Sequence, residues 1–229
     1  MDAQEKLKQT AAETAVALVE DGMILGLGTG STSKLAVDAL GKRVAGGLRV
    51  TGIPTSEFTG QQARALGIPI STLDEHPELA MTIDGADEVE LGTLNLIKGR
   101  GGALLREKIV ASAGKRLIII VDESKLVDRL GSHFAVPVEV VPFGWTSTAR
   151  KLEALGAKIT LRTGADGKTY ITDGGHYIID CGFGPIASPD KLEAELNRVV
   201  GVVEHGLFLG MASQVIVAGQ KGVEVLKPR

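Results

Sequence analysis

The sequence predicts an α/β protein: an open, mostly parallel sheet flanked by helices, joined to a smaller α+β domain. Three observations lead there. Apolar strand-like runs alternate with helix-like runs over the first 130 residues, the order that parallel strands with helical crossovers require. Aromatics make up only 3% of a chain that is 44% apolar, so the interior must be built from Val, Ile, Leu and Ala, as in a sheet covered by helices. Beyond Leu130 the texture shifts to spaced prolines and Asp-Gly pairs, which suit tight turns between antiparallel strands.

The first element is a helix from Lys6 to Glu20, with Leu7, Ala11 and Leu18 on one face and Asp21-Gly22 as its stop. "MILGLGTGSTSKLAVDALG" reads as a short apolar strand, a turn rich in glycine and hydroxyls, and a helix to Leu40. The grammar repeats with a strand at Leu48 to Gly52 and a helix through Arg64. "LAMTIDGADEVE" is an apolar strand breaking into a polar loop, "GALLREKIVASAG" a helix, and "RLIIIVDESK" the strongest strand of the chain. In the second texture, the prolines of "AVPVEVVPF" predict an edge or irregular strand. "TSTARKLEALG" is a helix, and strands joined by turns at Asp166-Gly167 and Asp173-Gly174 follow. "SPDKLEAELNRVVGVVEHG" reads as a capped helix. One more buried-type strand, Gln214 to Ala218, is expected to return to the first sheet. The domains are thus 1–130 with 205–229, and 131–204.

Charge and cysteine content narrow the function. Against 25 Lys and Arg stand 28 Asp and Glu with both signs interspersed, so no global basic field recruits nucleic acid. No apolar run approaches the ~20 residues of a membrane helix, and Met1 to Thr10 lacks a signal pattern. Cys181 is the one cysteine, which suits a reducing, cytoplasmic setting. The four histidines lack ligand spacing, so no zinc site is predicted.

Four loops that follow parallel-type strands carry the chemistry, because such loops gather at one rim of an open sheet. The first, "GLGTGSTS", opens a helix. Its backbone N–H groups and the hydroxyls of Thr29, Ser31, Thr32 and Ser33 suit a small phosphate ester; a plain Ser/Thr cap fits the same string. Its glycine spacing is neither a dinucleotide fingerprint nor a Walker loop. The second, "PTSEFT", reads more simply as a capped helix start. The third, "DGADEVE", offers Asp84 and Asp87 for sugar hydroxyls, proton transfer or Mg²⁺, with solvated acids in an Asx-turn as the alternative. In the fourth, "NLIKGRGGALLREKIV", glycines separate Lys98 from a helix bearing Glu107. A solvated charged face fits that segment taken alone; beside the other three loops, convergence on a ligand fits better.

"GLGTGSTS", "IPTSEFT", "DGADEVE", "KGRGGALLREKIV" and "VDESK" stand in the order and context of the type A ribose-5-phosphate isomerases, and the likeness continues through "PVEVVPF", "DCGFGPI" and "GVVEHGLF". The sequence resembles that family over nearly its whole length. The resemblance implies interconversion of D-ribose 5-phosphate and D-ribulose 5-phosphate in the pentose phosphate pathway, without metal or organic cofactor. It implies Glu107 as the catalytic base, with Asp84, Asp87 and Lys98 beside it. It implies substrate contacts from Thr29, Gly30, Ser31 and Thr32, from Asp84, Gly85, Ala86 and Asp87, from Lys98, Gly99, Arg100 and Gly101, and from Lys125. Arg100 departs from the glycine that many members carry, and its side chain is expected to point outward. The family also implies a homodimer or homotetramer with the smaller domain at the interface. The residues leave two other readings open: a non-catalytic sugar-phosphate sensor, and a related sugar-phosphate isomerase or amino-sugar deaminase.

The chemistry agrees. Aldose–ketose isomerisation needs one base that takes and returns a proton on one face of a cis-enediolate, and a glutamate serves if burial raises its pKa from ~4.3 toward neutrality. Lys98 would stabilise the developing oxyanion.

Overall fold

The computed structural model describes residues 3–228. The elements run, in chain order, α1 (Ala3–Val16), β1 (Ile24–Leu27), α2 (Ser31–Ala45), β2 (Thr51–Pro54), α3 (Glu57–Ala65), β3 (Met81–Asp84), β4 (Glu88–Glu90), β5 (Leu96–Ile97) and α4 (Leu104–Ala113). Then come β6 (Leu117–Asp122), β7 (Leu126–Val127), β8 (Val136–Val140), α5 (Trp145–Ala154), β9 (Lys158–Leu161), β10 (Tyr177–Gly182), α6 (Pro189–Leu196), β11 (Val202–His205), β12 (Leu207–Phe208), β13 (Gln214–Gly219) and β14 (Gly222–Leu226).

The main sheet has the order β14-β13-β6-β3-β1-β2, parallel throughout except for the outer β14. Its two faces follow the two-residue period of a strand. Ile118, Ile120 and Ile216 pack with Ala11, Ala15, Val37 and Leu40 of α1 and α2. Leu117, Ile119, Val121, Val215 and Val217 face the other way, onto Ala111 of α4 and Phe208. From β1 the chain moves outward to β2 and then back to β3 on the opposite side, so the loops leaving β1 and β3 diverge. That divergence opens a crevice beyond the carboxyl ends of those strands, the place where doubly wound sheets hold ligands.

A second sheet, β11-β8-β10-β9, is antiparallel and closes over α5 and α6 around Val138, Ile179, Cys181, Leu152 and Leu196. Cys181 is fully buried, and burial pushes its thiol up to about 12, which leaves it an inert core group.

Several expectations need correcting. The strand from "AVPVEVVPF" is interior, not an edge. Pro137 is tolerated because Gly206 donates to its carbonyl (2.7 Å) while the Gly206 carbonyl takes the N–H of Lys98 (2.9 Å), so no partner awaits the proton proline lacks. The helix starting near Ser188 stops at Leu196, and the end of its run forms β11; Val199, Val200, Val202 and Val203 are β-branched, which favours a strand. The first helix ends at Val16 rather than Glu20, β2 starts at Thr51 rather than Leu48, and β14 follows the last predicted strand as a hairpin. A third small sheet, β12-β5-β4-β7, was not anticipated. It rests on the carboxylate of Glu88, which is fully buried and accepts from the backbone N–H groups of Gly131, His133 and Phe134 at 2.6–2.8 Å.

Candidate active site

Asp84 ends β3 and faces the end of β1. One of its oxygens, Oδ1, accepts from Thr29 N–H (3.1 Å), the Ser33 hydroxyl (2.9 Å) and Gly85 N–H (2.8 Å). The approach is close enough that a Cβ on Gly28 would lie 2.1 Å from that oxygen, so glycine is required where β1 meets the carboxylate. Thr82, two residues earlier, donates its hydroxyl to the Val110 carbonyl of α4 at 3.2 Å. This contact fixes α4 across the strand, and Glu107, one helical turn back, comes to stand over Asp84.

Lys98 lies between the two carboxylates. Its ammonium is 2.9 Å from Asp84 Oδ2 and 3.3 Å from Glu107 Oε2, and it donates to the Gly85 carbonyl at 2.6 Å. The three side chains are only 3%, 1% and 2% exposed. Burial alone would lower the Lys98 pKa, but Asp84 and Glu107 together hold the ammonium above its ordinary range. For Glu107 burial dominates in the other direction: it pushes the carboxyl up to about 8, with Lys98 opposing and Asp84 and Asp87 reinforcing. Asp84 Oδ2 and Glu107 Oε2 are both buried, and the ammonium of Lys98 is the charge that compensates them.

Asp87 is half-buried, and burial raises its pKa against the pull of the Arg100 N–H, which donates to Oδ2 at 2.9 Å. The loop that brings this N–H round turns at Gly99, where φ is 107° and a Cβ would meet Leu104 Cβ at 2.8 Å. The Arg100 side chain is exposed at the rim of the cleft and stacks on Phe134, 4.4 Å from the ring centroid. Lys125 reaches the same ring from its other neighbourhood, at 5.1 Å.

On the opposite wall, α2 begins at Ser31 behind Gly30, and no side chain caps it. Its first-turn N–H groups and the positive end of its dipole are therefore available to an anion. Lys8 of α1 donates to the Ser31 hydroxyl at 3.1 Å and adds a cation there. The Thr29 hydroxyl turns away into a cluster with Thr55, Ser56 and Thr59 at 2.7–3.0 Å, which leaves Thr29 its backbone and methyl toward the cleft. Thus "PTSEFT", read as a capped helix start, does cap α3 through Ser56 and also seats the first loop.

These walls enclose a cleft of about 440 Å³. It is lined by Thr29 to Ser33, Gly85 to Asp87, Lys98 to Gly101, Glu107 and Lys125, with Asp84 just behind. Sequence reading did not single out Lys8, because a lysine on an amphipathic helix carries no local signal of what it will face. It also passed over Arg162 of the second sheet, whose guanidinium holds the Gly99 and Arg100 carbonyls at 2.7 and 3.2 Å.

Residues 51–222 match the family model described as ribose 5-phosphate isomerase A (phosphoriboisomerase A). Similar curated proteins include ribose-5-phosphate isomerase A of Gloeobacter violaceus, 65% identical over 97% of this chain and 96% of that one. Another is ribose-5-phosphate isomerase A of a Synechococcus strain, 57% identical over 99% of both. Among solved structures, ribose 5-phosphate isomerase A from Methanocaldococcus jannaschii superposes with a TM-score of 0.93 at 45% identity, covering 97% of this chain and 99% of that one. A D-ribose-5-phosphate isomerase in complex with phospho-erythronic acid superposes with a TM-score of 0.95 at 41% identity, covering 99% of this chain and all of that one.

Proposed function

The chain belongs to the ribose 5-phosphate isomerase A family and is an aldose–ketose isomerase, and from that premise we propose how its residues interconvert D-ribose 5-phosphate and D-ribulose 5-phosphate. Glu107 is the base. In the open-chain aldose it takes the proton from C2, the electron pair moves into the C1–C2 bond as a cis-enediolate, and the carbonyl oxygen becomes O1⁻. Glu107 then returns the proton to C1 from the same side, while the hydroxyl proton leaves O2 and arrives at O1. Lys98 supports the charge on the two oxygens, and Asp84 and Asp87 carry the hydroxyl proton and open the sugar ring. The phosphate, inert in the reaction, sits at the start of α2 with Ser31, Thr32 and Lys8, so that remote binding energy aligns C1 and C2. A carboxylate and an ammonium both buried at one end of a cleft, with an uncapped helix start at the other, is the observation that carries this reading.

The raised Glu107 pKa sets the pH dependence. Glu107 works only when deprotonated, so kcat/KM is expected to rise with pH and reach half its plateau near pH 8, where burial has pushed the carboxyl, rather than near the ordinary ~4.3. Initial rates at saturating and limiting ribose 5-phosphate across pH 5 to 10 check this; a plateau already reached at pH 6 would contradict it.

The anchor for the phosphate has its own test. Ser31→Ala with Thr32→Ala removes two hydroxyl donors to a dianion and is expected to raise KM by about tenfold or more, or ~1.4 kcal/mol, with kcat changed far less. A KM equal to that of the wild type would move the phosphate elsewhere.

Lys98 already bridges the carboxylates that a divalent cation would otherwise bridge, so turnover is expected to withstand exhaustive EDTA treatment. Loss of activity restored by Mg²⁺ would reverse that assignment. Residues 131–204 are proposed as a second domain, beside 1–130 with 205–229, that carries the contact of a homodimer or homotetramer. Phe143 and Val200 stand 94% and 79% exposed on it, and light scattering reports the state directly.

A further inference from the structure

The second sheet contributes no group to the proposed proton transfers, yet the side chain that follows its strand β9 hydrogen-bonds the catalytic loop. Arg162, at the end of β9, is only 12% exposed. Asp180 of the neighbouring β10 grips it as a fork: Nε donates to Oδ2 at 3.0 Å and Nη2 pairs with Oδ1. That leaves Nη1, which donates to the Gly99 carbonyl at 2.7 Å and, less directly, to the Arg100 carbonyl at 3.2 Å. A peptide group is a rigid plane with its C=O and N–H pointing in opposite directions. Drawing the Gly99 carbonyl toward Arg162 therefore drives the N–H of Arg100 to the other side, and that N–H is the donor to Asp87 Oδ2 at 2.9 Å.

We propose that Arg162, held by Asp180, is a positioning residue that orients the Gly99–Arg100 peptide and through it fixes the Asp87 carboxylate in the cleft. The inference rests on the isomerase reading above, in which Asp87 handles sugar hydroxyls. The route is continuous: Asp180, Arg162, one peptide plane, Asp87. The positive φ of Gly99 is what allows the plane to take this setting, and nothing else in the described residues donates to the Gly99 carbonyl except Gly102 N–H at 3.0 Å, which closes the turn itself. Without the guanidinium the Gly102 N–H alone holds that carbonyl, and the Arg100 N–H is set less firmly against Asp87. A lysine cannot replace it, because a single ammonium does not present the planar fork that spans Asp180 and a carbonyl together.

A double-mutant cycle in the full-length enzyme separates this role from general support. Wild type, Arg162→Met, Asp87→Ala and the double variant are compared for kcat and KM with ribose 5-phosphate, alongside their melting temperatures. Arg162→Met is expected to lower kcat roughly 10- to 100-fold with KM within about threefold, the scale of loss that a small misplacement produces. Added to Asp87→Ala, the same change is expected to lower kcat by less than about threefold, since the acceptor that the Arg100 N–H positions is already gone. Arg162→Lys is expected to recover little of the lost turnover. Equal losses in both backgrounds, or no loss in the wild-type background, would overturn the proposal. If Arg162→Met does not fold, Asp180→Asn takes its place in the cycle with the same outcomes. Glu107→Gln is run in parallel: if it stays active, the base assignment fails, whereas an inactive Glu107→Gln beside a fully active Arg162→Met sinks only the positioning role.

Discussion

Glu107→Gln is expected to lower kcat by at least about 10³-fold while KM for ribose 5-phosphate moves by no more than several-fold. The substitution keeps the shape and polarity of a side chain that is 2% exposed, and Lys98 retains Asp84 at 2.9 Å and the Gly85 carbonyl at 2.6 Å. What disappears is the capacity to accept a proton. General acid–base groups contribute about 10²–10⁴-fold, and here one group serves both half-reactions, which puts the loss at the upper end. Below its raised pKa of about 8 Glu107 is itself mostly neutral, and the amide oxygen of glutamine can still accept from Lys98, so the variant is expected to melt close to the wild type at neutral pH. Steady-state kinetics with a thermal melt check both points. A variant that retains a tenth of its turnover would take the base away from Glu107.

Lys98→Met is expected to be worse, because it strikes chemistry and fold together. The ammonium is the cation between two buried carboxylates. Breaking a buried ion pair by deleting one partner costs about 3–5 kcal/mol, and here both carboxyls lose the same cation. Turnover is expected to fall below detection, and denaturant unfolding to show a loss of that size. The pH dependence has a definite sign. Without the cation, burial disfavours the Glu107 anion unopposed, so the folded state binds a proton that the unfolded chain releases. The variant is therefore expected to gain stability on acidification and lose it as pH rises above the ordinary carboxylate range of ~4. Adding Asp84→Asn to Lys98→Met removes one of the stranded charges and is expected to restore part of the stability and none of the activity. Equal stability of wild type and Lys98→Met across pH would show that the ammonium is not the keystone charge of the site.

The sequence made the main sheet legible wherever a strand is long and its environment uniform. "RLIIIVD" could only be a strand buried on both faces, and β6 is that. The catalytic loops were legible for a related reason: each breaks from an apolar run into glycine, hydroxyl or acid. Strands of two or three residues were not. Leu96–Ile97, Leu126–Val127 and Leu207–Phe208 are too short for any period to register, and their stability comes from partners remote in the chain. Pro137 misled for a specific reason: proline is barred from a strand interior only where its N–H is wanted, and here the carbonyl opposite is taken by Lys98. Arg162 and Lys8 share one cause of invisibility, since the functional end of each lies against a loop that the local pattern does not mention.

The strand order has a bearing on how the enzyme comes into being. β6 lies between β3 and β13, and β13 spans Gln214–Gly219. Until residue 219 has emerged during synthesis, β6 has one bare flank, and α1 lacks one of the strands it covers. Parallel pairing across such long separations is slow, and an unpaired inner edge invites association with other chains. Catalytic competence should consequently be acquired late and all at once, making regained turnover a faithful gauge of complete refolding.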